Sequence, residues 1–261
     1  YVRKARLDVV SKTFTRMAQE VLLKQTKTAF NVLATALCKA TGSAGTQGSQ
    51  VIQGTQSDRM ILHDLNNLIT ASKRVNSSFN GGTPVGGVKS GITDLLVSPE
   101  IVEDLRAMAY NPINTVDSDG TAAAGTDGQV APENLRAELY AGAGLPSFYG
   151  INIMEVNEMG KNQRFNKLFA TIAAAEGNIT GGQGGSFTQA NDQILIGVDR
   201  SKDSLIRPTV IGEGSPSEFQ VLVDDQFSVR QNKIGYYGKV EEGRICIDDK
   251  ALIGLAIGTS S

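Results

Sequence analysis

The chain contains no tryptophan and one histidine, His63, among its 261 residues. A lone histidine cannot supply the usual structural zinc sets, and it leaves a Ser-His arrangement a single base to draw on. His63 lies next to Asp64 in a helical pattern, where adjacent side chains diverge, so the two do not form a dyad. The two cysteines, Cys38 and Cys246, are too few for a disulfide framework. Cys38 falls on a helical apolar face and Cys246 in an alternating strand, so both read as small buried hydrophobes suited to a reducing compartment. No apolar run approaches the roughly 18 residues that a transmembrane helix needs, and residues 1–20 lack a signal-peptide core. Charge of either sign is not in excess: 25 basic and 27 acidic residues leave a net charge of −2. A global field for nucleic acid or an anionic membrane is therefore absent. Asn76-Ser77-Ser78 and Asn178-Ile179-Thr180 match the glycosylation pattern, which without a secretion signal reads as chance.

Two things are plentiful. The apolar fraction, 40%, is enough for a real core, and 29 glycines place much of the backbone in loops and turns. The length permits one large domain or two modest ones.

Residues 92–110 carry the clearest local code. The apolar run Leu95 to Val97 stops at Ser98, a good N-cap whose hydroxyl can accept an orphan amide. Pro99 suits the first helical position and Glu100 the positive end of the helix dipole. Ile101, Val102, Leu105, Met108 and Ala109 then recur at helical spacing. The segment predicts a buried strand, a sharp turn and an amphipathic helix, with no nucleophile, metal ligand or phosphate cradle at the turn.

Residues 7–40 predict one long helix. Val10, Phe14, Met17 and Val21 form one apolar stripe and Phe30, Leu33 and Leu37 another, separated by a polar waist at 24–28 with no Gly or Pro to break it. Thr41 to Ser57 reads as a Gly/Ser/Thr/Gln loop, and Asp58 to Ser77 as a helix capped by Ser57 or Asp58. Residues 80–91, 111–132 and 177–191 read as Gly-rich loops. Tyr149 to Val156 and Ile194 to Val198 read as strands, and 163–175 as either strand or helix. From Leu205 onward short antiparallel-type strands are expected at 218–223, 226–233, 234–240, 244–247 and 252–257.

Several segments approach a chemical motif and miss it. Gly82 to Ser90 resembles a phosphate-binding loop, but Val88 separates Gly87 from Lys89, and a helix precedes the loop where a strand should. Asp117, Asp119 and Thr121 begin like a calcium loop, but Ala122 stands where glycine is needed and no Glu closes it. Asp224-Asp225 and Asp248-Asp249 fall at strand ends, where such residues bond their own backbone. Arg3, Lys4, Arg6, Lys12 and Arg16 cluster at the first helix without an interleaved aromatic platform, which favours a solvated or ion-pairing face over a nucleic-acid site. No catalytic, cofactor-binding or metal-binding residue is assigned from these patterns.

The order of elements resembles the major capsid protein of tailed bacteriophages. Residues 7–40 resemble the family's spine helix, and 93–109, around Ser98-Pro99, its axial strand and helix. Tyr149-Gly150-Ile151-Asn152-Ile153 resembles its Gly-Ile/Leu-x-Val strand, and Ile194 to Asp199 the strand leading out. Asp225 to Arg230 and the segment to Ile257 resemble the closing strands. The resemblance implies an α+β tailed-phage capsid fold with a long spine helix, a peripheral β-sheet domain and an inserted α/β axial domain. It divides the chain as 1–57 (spine and first peripheral part), 58–204 (axial) and 205–261 (returning peripheral strands). Family members carry an N-terminal arm and an extended loop before the spine, which here would lie upstream of Tyr1 or be missing from a truncated relative.

The function so implied is a non-enzymatic shell protein without cofactors. It would assemble as pentamers and hexamers into an icosahedral container for double-stranded DNA, in the virion, after assembly in the host cytoplasm. Expected partners are copies of itself, other capsid, decoration or portal proteins, and the DNA through weak non-specific contact, with no membrane. The alternative of the same fold is an encapsulin-like nanocompartment. The alternative of another class is an α/β enzyme or ligand-binding protein using the loops at 80–91 and 177–191.

Overall fold

A computed structural model describes residues 9–41, 47–55, 59–79, 91–110, 147–148, 150–176, 179–182, 184–209, 220–224 and 235–258. The fold is mixed α+β, with one six-stranded sheet, two two-stranded sheets and four α-helices among the described residues. The chain divides into two compact units, one of residues 1–32 and 205–245, the other of 33–204 and 246–261.

Helix α1 (Val9–Lys39) runs unbroken through the polar waist. Thr26 and Thr28 there donate their hydroxyls to the carbonyls of Leu22 and Lys24, one turn back, so the β-branched polar residues are accommodated without a kink. Phe14, Met17 and Val21 are half-buried, whereas Leu33, Leu37 and Cys38 are buried.

The six-stranded sheet belongs to the second unit. Its strands are β1 (Val51–Gln53), β2 (Asp94–Val97), β3 (Ser147–Phe148), β4 (Ile151–Glu155), β5 (Asp192–Val198) and β10 (Leu252–Gly258). They run in the order β1-β10-β5-β2-β4-β3. β5 and β10 are antiparallel neighbours, and all seven residues of each are buried. Such strands read as unbroken apolar runs because both faces are covered. One face carries Leu95, Val97, Ile153, Leu195, Ile253, Leu255 and Ile257, packed with Met60, Leu65, Leu68, Ile101, Val102 and Leu105. These helical residues come from the approach to α2 (Leu62–Phe79), from α2 itself and from α3 (Pro99–Tyr110). On the other face, Leu37 of α1 comes against Gly254, with Ile194 and Val51 beside it. Helix α4 (Arg164–Glu176) buries Phe165, Phe169 and Ala173, and the Phe169 ring meets Phe187 edge-on at 4.9 Å.

One element differs from the sequence-based reading. β1 lies inside the stretch expected as a loop; three residues are too short to alternate visibly, and its pairing with β10 is parallel, Val51 with Gly254, across most of the chain. The segment read as either strand or helix at 163–175 coincides, from Arg164 on, with α4, which settles it as helix. β10 lies between β1 and β5 in the six-stranded sheet, and residues 246–261 fall in the same unit as 33–204. The expected strand at 226–233 lies outside the described residues.

The other unit contains β7 (Gln220–Asp224) paired antiparallel with β8 (Gly235–Lys239). β6 (Leu205–Ile206) pairs with β9 (Ile245–Cys246), supported by Gly243 N donating to Pro208 O.

Candidate functional site

The Ser98 turn is the first place to look for chemistry, since a strand-to-helix turn often presents a nucleophile. Here Ser98 is fully buried. Its Oγ accepts from Ile101 N at 3.3 Å and donates to Gln193 Oε1 at 2.8 Å. Both capacities are used, one to cap α3 and one to tie that cap to β5, so the hydroxyl is a cap and not a poised nucleophile.

Buried carboxylates elsewhere are spent in the same way. Asp64, which stands at the third position of α2, accepts from Ile61 N and Thr55 N at 3.2 and 2.8 Å. It is the reaching-back half of a capping box, and it takes the role expected of Ser57 or Asp58, which lie outside the described residues. His63, its neighbour, is exposed. Asp192 opens β5 and organises the Gly-rich loop before it. Its Oδ1 accepts from Gly182 N and its Oδ2 from Thr188 N, both at 2.8 Å, and from Thr188 Oγ1 at 3.2 Å. A Cβ on Gly182 would fall 1.8 Å from Gly258 N, so only glycine lets this loop close over the end of β10. The second loop weighed as a ligand cradle is thus, in its described part, filled by its own carboxylate. The first, at 82–90, lies outside the described residues, as do Asp117, Asp119, Thr121 and Asp225.

Asp248 is a turn residue, as its position suggests: its Oδ1 accepts from Lys250 N and caps a short 3-10 turn at 249–251. Lys202 lies near this turn. Burial pushes its ammonium below the usual lysine range, against the opposing pull of Asp248 and Asp199. Ser204 Oγ and Gln50 Oε1 are buried and lack a protein partner, but neither is a base. Cys38 is fully buried, and desolvation, helped by Glu176, pushes its thiol up to about 12. Burial also raises Cys246, with Asp249 and Asp248 adding to it. Neither thiol is activated. Among the described residues no group of three or more His, Cys, Asp or Glu could hold a metal ion. No described helix is long and apolar enough to cross a membrane.

In the other unit, among the described residues, a concentrated polar cluster centres on Glu242. It accepts from Gln25 Nε2 of α1 at 3.1 Å, Arg207 Nε at 2.8 Å and Arg244 at 3.3 Å. Burial works to raise its pKa, and the two guanidiniums overcome that and hold it below the usual carboxylate range. Of the predicted basic cluster, Lys12 and Arg16 are exposed on α1, while Arg3, Lys4 and Arg6 lie outside the described residues.

What stands out on the surface is apolar. Among the described residues eight large hydrophobic side chains are exposed, and six of them, Leu22, Leu23, Leu205, Ile206, Tyr237 and Ile245, belong to the unit formed by 1–32 and 205–245. Sequence reasoning missed this, because exposure of a leucine in an apolar-rich helix is set by tertiary packing.

No protein-family model matches the sequence, and no curated protein does. Among solved structures, the chain is similar to a subunit of the holo-SrpI encapsulin complex from Synechococcus elongatus PCC 7942. The match covers 99% of this chain and 69% of that one, at 10% identity and a TM-score of 0.48. A superposition of that quality carries no argument about function.

Proposed function

We propose that this chain is a structural subunit that associates with copies of itself into a closed shell, with pentamers and hexamers as the repeating groups and no catalytic role. The observation that carries this reading is the concentration of exposed apolar side chains in one unit. Among the described residues six large hydrophobics are exposed there, with Leu22 at 60% and Ile245 at 52%, while the unit of 33–204 and 246–261 exposes two, Met154 and Ile247, outside a buried core. Surface of this kind is normally covered by a partner. A shell multiplies weak contacts through simultaneous engagement. The resemblance in element order described above supports the same reading.

For the content of the shell we place a protein-holding compartment of the encapsulin kind ahead of a container for double-stranded DNA. A net charge of −2 supplies no attraction to a dense polyanion. Electron microscopy of the purified full-length protein tests the shell. Closed particles of uniform size are expected, and the ratio of absorbance at 260 and 280 nm distinguishes protein from nucleic-acid content. A monodisperse monomer under every condition would sink the reading. Saturable binding of a nucleotide or metal to that monomer would favour the ligand-binding alternative.

A further inference from the structure

Resting on the shell reading, a more specific question is which surfaces of neighbouring copies meet. On α1, Lys12, Arg16, Leu23 and Lys27 are all exposed and are spaced by four, seven and four residues, which puts them on one face of the helix. Leu22 adds a second exposed apolar side chain beside Leu23. Glu20, also exposed, is the acidic residue of this stretch.

The complementary charge lies at one end of the six-stranded sheet. β4 ends at Glu155, opposite Val97, and Val156 N donates to Val97 O. The chain then turns so that Gly160 packs against the Glu100 carboxylate, where a Cβ would fall 2.6 Å from Oε2. Glu100, Glu155 and Glu158 therefore share this rim, and Glu103 follows Glu100 one turn along α3. Glu100, Glu103 and Glu155 are exposed and Glu158 is half-buried; of the nearby cations Lys161 and Arg164 are half-buried, and Arg106, one turn beyond Glu103, is exposed. Met154, 44% exposed, is the apolar side chain beside the rim.

We propose that the basic stripe of α1 on one copy docks on the Glu100–Glu103–Glu155–Glu158 rim of a neighbouring copy, with Leu22, Leu23 and Met154 supplying the apolar contact. Like charge opposes pairing of two α1 stripes with each other, so the contact joins two different surfaces. Such a heterologous contact leaves each copy with one of each surface to offer, and it closes into rings when the rotation permits. Each exposed ion pair is weak alone, and the pattern sets partner and register more than affinity.

The test is charge reversal with rescue. Lys12→Glu/Arg16→Glu/Lys27→Glu and, separately, Glu103→Lys/Glu155→Lys/Glu158→Lys are purified, and their folding is checked by circular dichroism. Each alone is expected to need at least about tenfold more protein than wild type to assemble, and a chain carrying all six reversals to regain wild-type behaviour. Assembly of the wild-type chain is expected to weaken between about 0.05 and about 0.5 M salt. Wild-type assembly by either folded variant alone, or a folded six-reversal chain that fails to recover, overturns the proposed contact and leaves the shell reading standing. If a variant does not fold, wild-type assembly indifferent to salt overturns the contact. A wild-type chain that never assembles overturns the shell reading itself.

Discussion

The two units of this chain are held by different physics. The one formed by 33–204 and 246–261 is built around β5 and β10, fourteen consecutive-strand residues without an exposed side chain. Its Ser98, Asp64 and Asp192 side chains are buried and bonded to backbone or neighbouring side chains, so they fix turns at little desolvation cost. The one formed by 1–32 and 205–245 has short two-stranded pairings, one charge cluster at Glu242 and most of the exposed large apolar side chains. Two-stranded pairs are marginal without further packing. The first unit is held by its own buried core, and the second leaves more of its described large apolar side chains uncovered.

The comparison is broken most severely from inside the sheet unit. Phe169→Ala removes a fully buried ring packed against Phe187, and about 3–5 kcal/mol of stability should be lost in denaturant titration. A loss below about 1 kcal/mol would mean this core is loosely packed. Asp192→Ala strands the amides of Gly182 and Thr188, and a loss of about 1–3 kcal/mol is expected, with faster amide exchange confined to 179–191. Ser98→Ala should cost about 1–2 kcal/mol through the α3 cap and the bond to Gln193.

In the other unit the effects should be smaller. Glu242→Gln should cost no more than about 1 kcal/mol, since the cluster is near the surface. Glu242 has its folded pKa depressed, so its contribution is present above the ordinary carboxylate range and is lost as pH falls through the lower folded value. The stability difference between wild type and Glu242→Gln should therefore shrink on acidification below that range; a difference that persists there contradicts the ion-pair account. The mildest test is chemical. Cys38 should resist a thiol reagent at neutral pH until the chain unfolds, because burial holds it protonated.

Legibility in the sequence followed locality. The Ser98-Pro99-Glu100 cap, the unbroken α1 and the strands at 151–155, 192–198 and 252–258 were readable because cap chemistry and apolar periodicity act within a few residues. β1 was not, since its strand character comes from pairing with β10 across the chain. The destination of β10 was equally hidden: an apolar run announces burial but not in which sheet. The Asp64 cap was hidden because the carboxylate that satisfies the amides reaches back from inside the helix and does not precede it. The apolar surface of α1 and β6 was invisible for a further reason, that periodicity marks which residues are apolar and not which remain uncovered.

The central claim is that this chain assembles with itself, and its mass in solution tests that most directly. Sedimentation velocity over a range of concentrations should show a discrete species vastly heavier than the 27.7 kDa chain, with little material between it and small oligomers. A single boundary at the monomer mass, at every concentration and salt tried, would contradict the account.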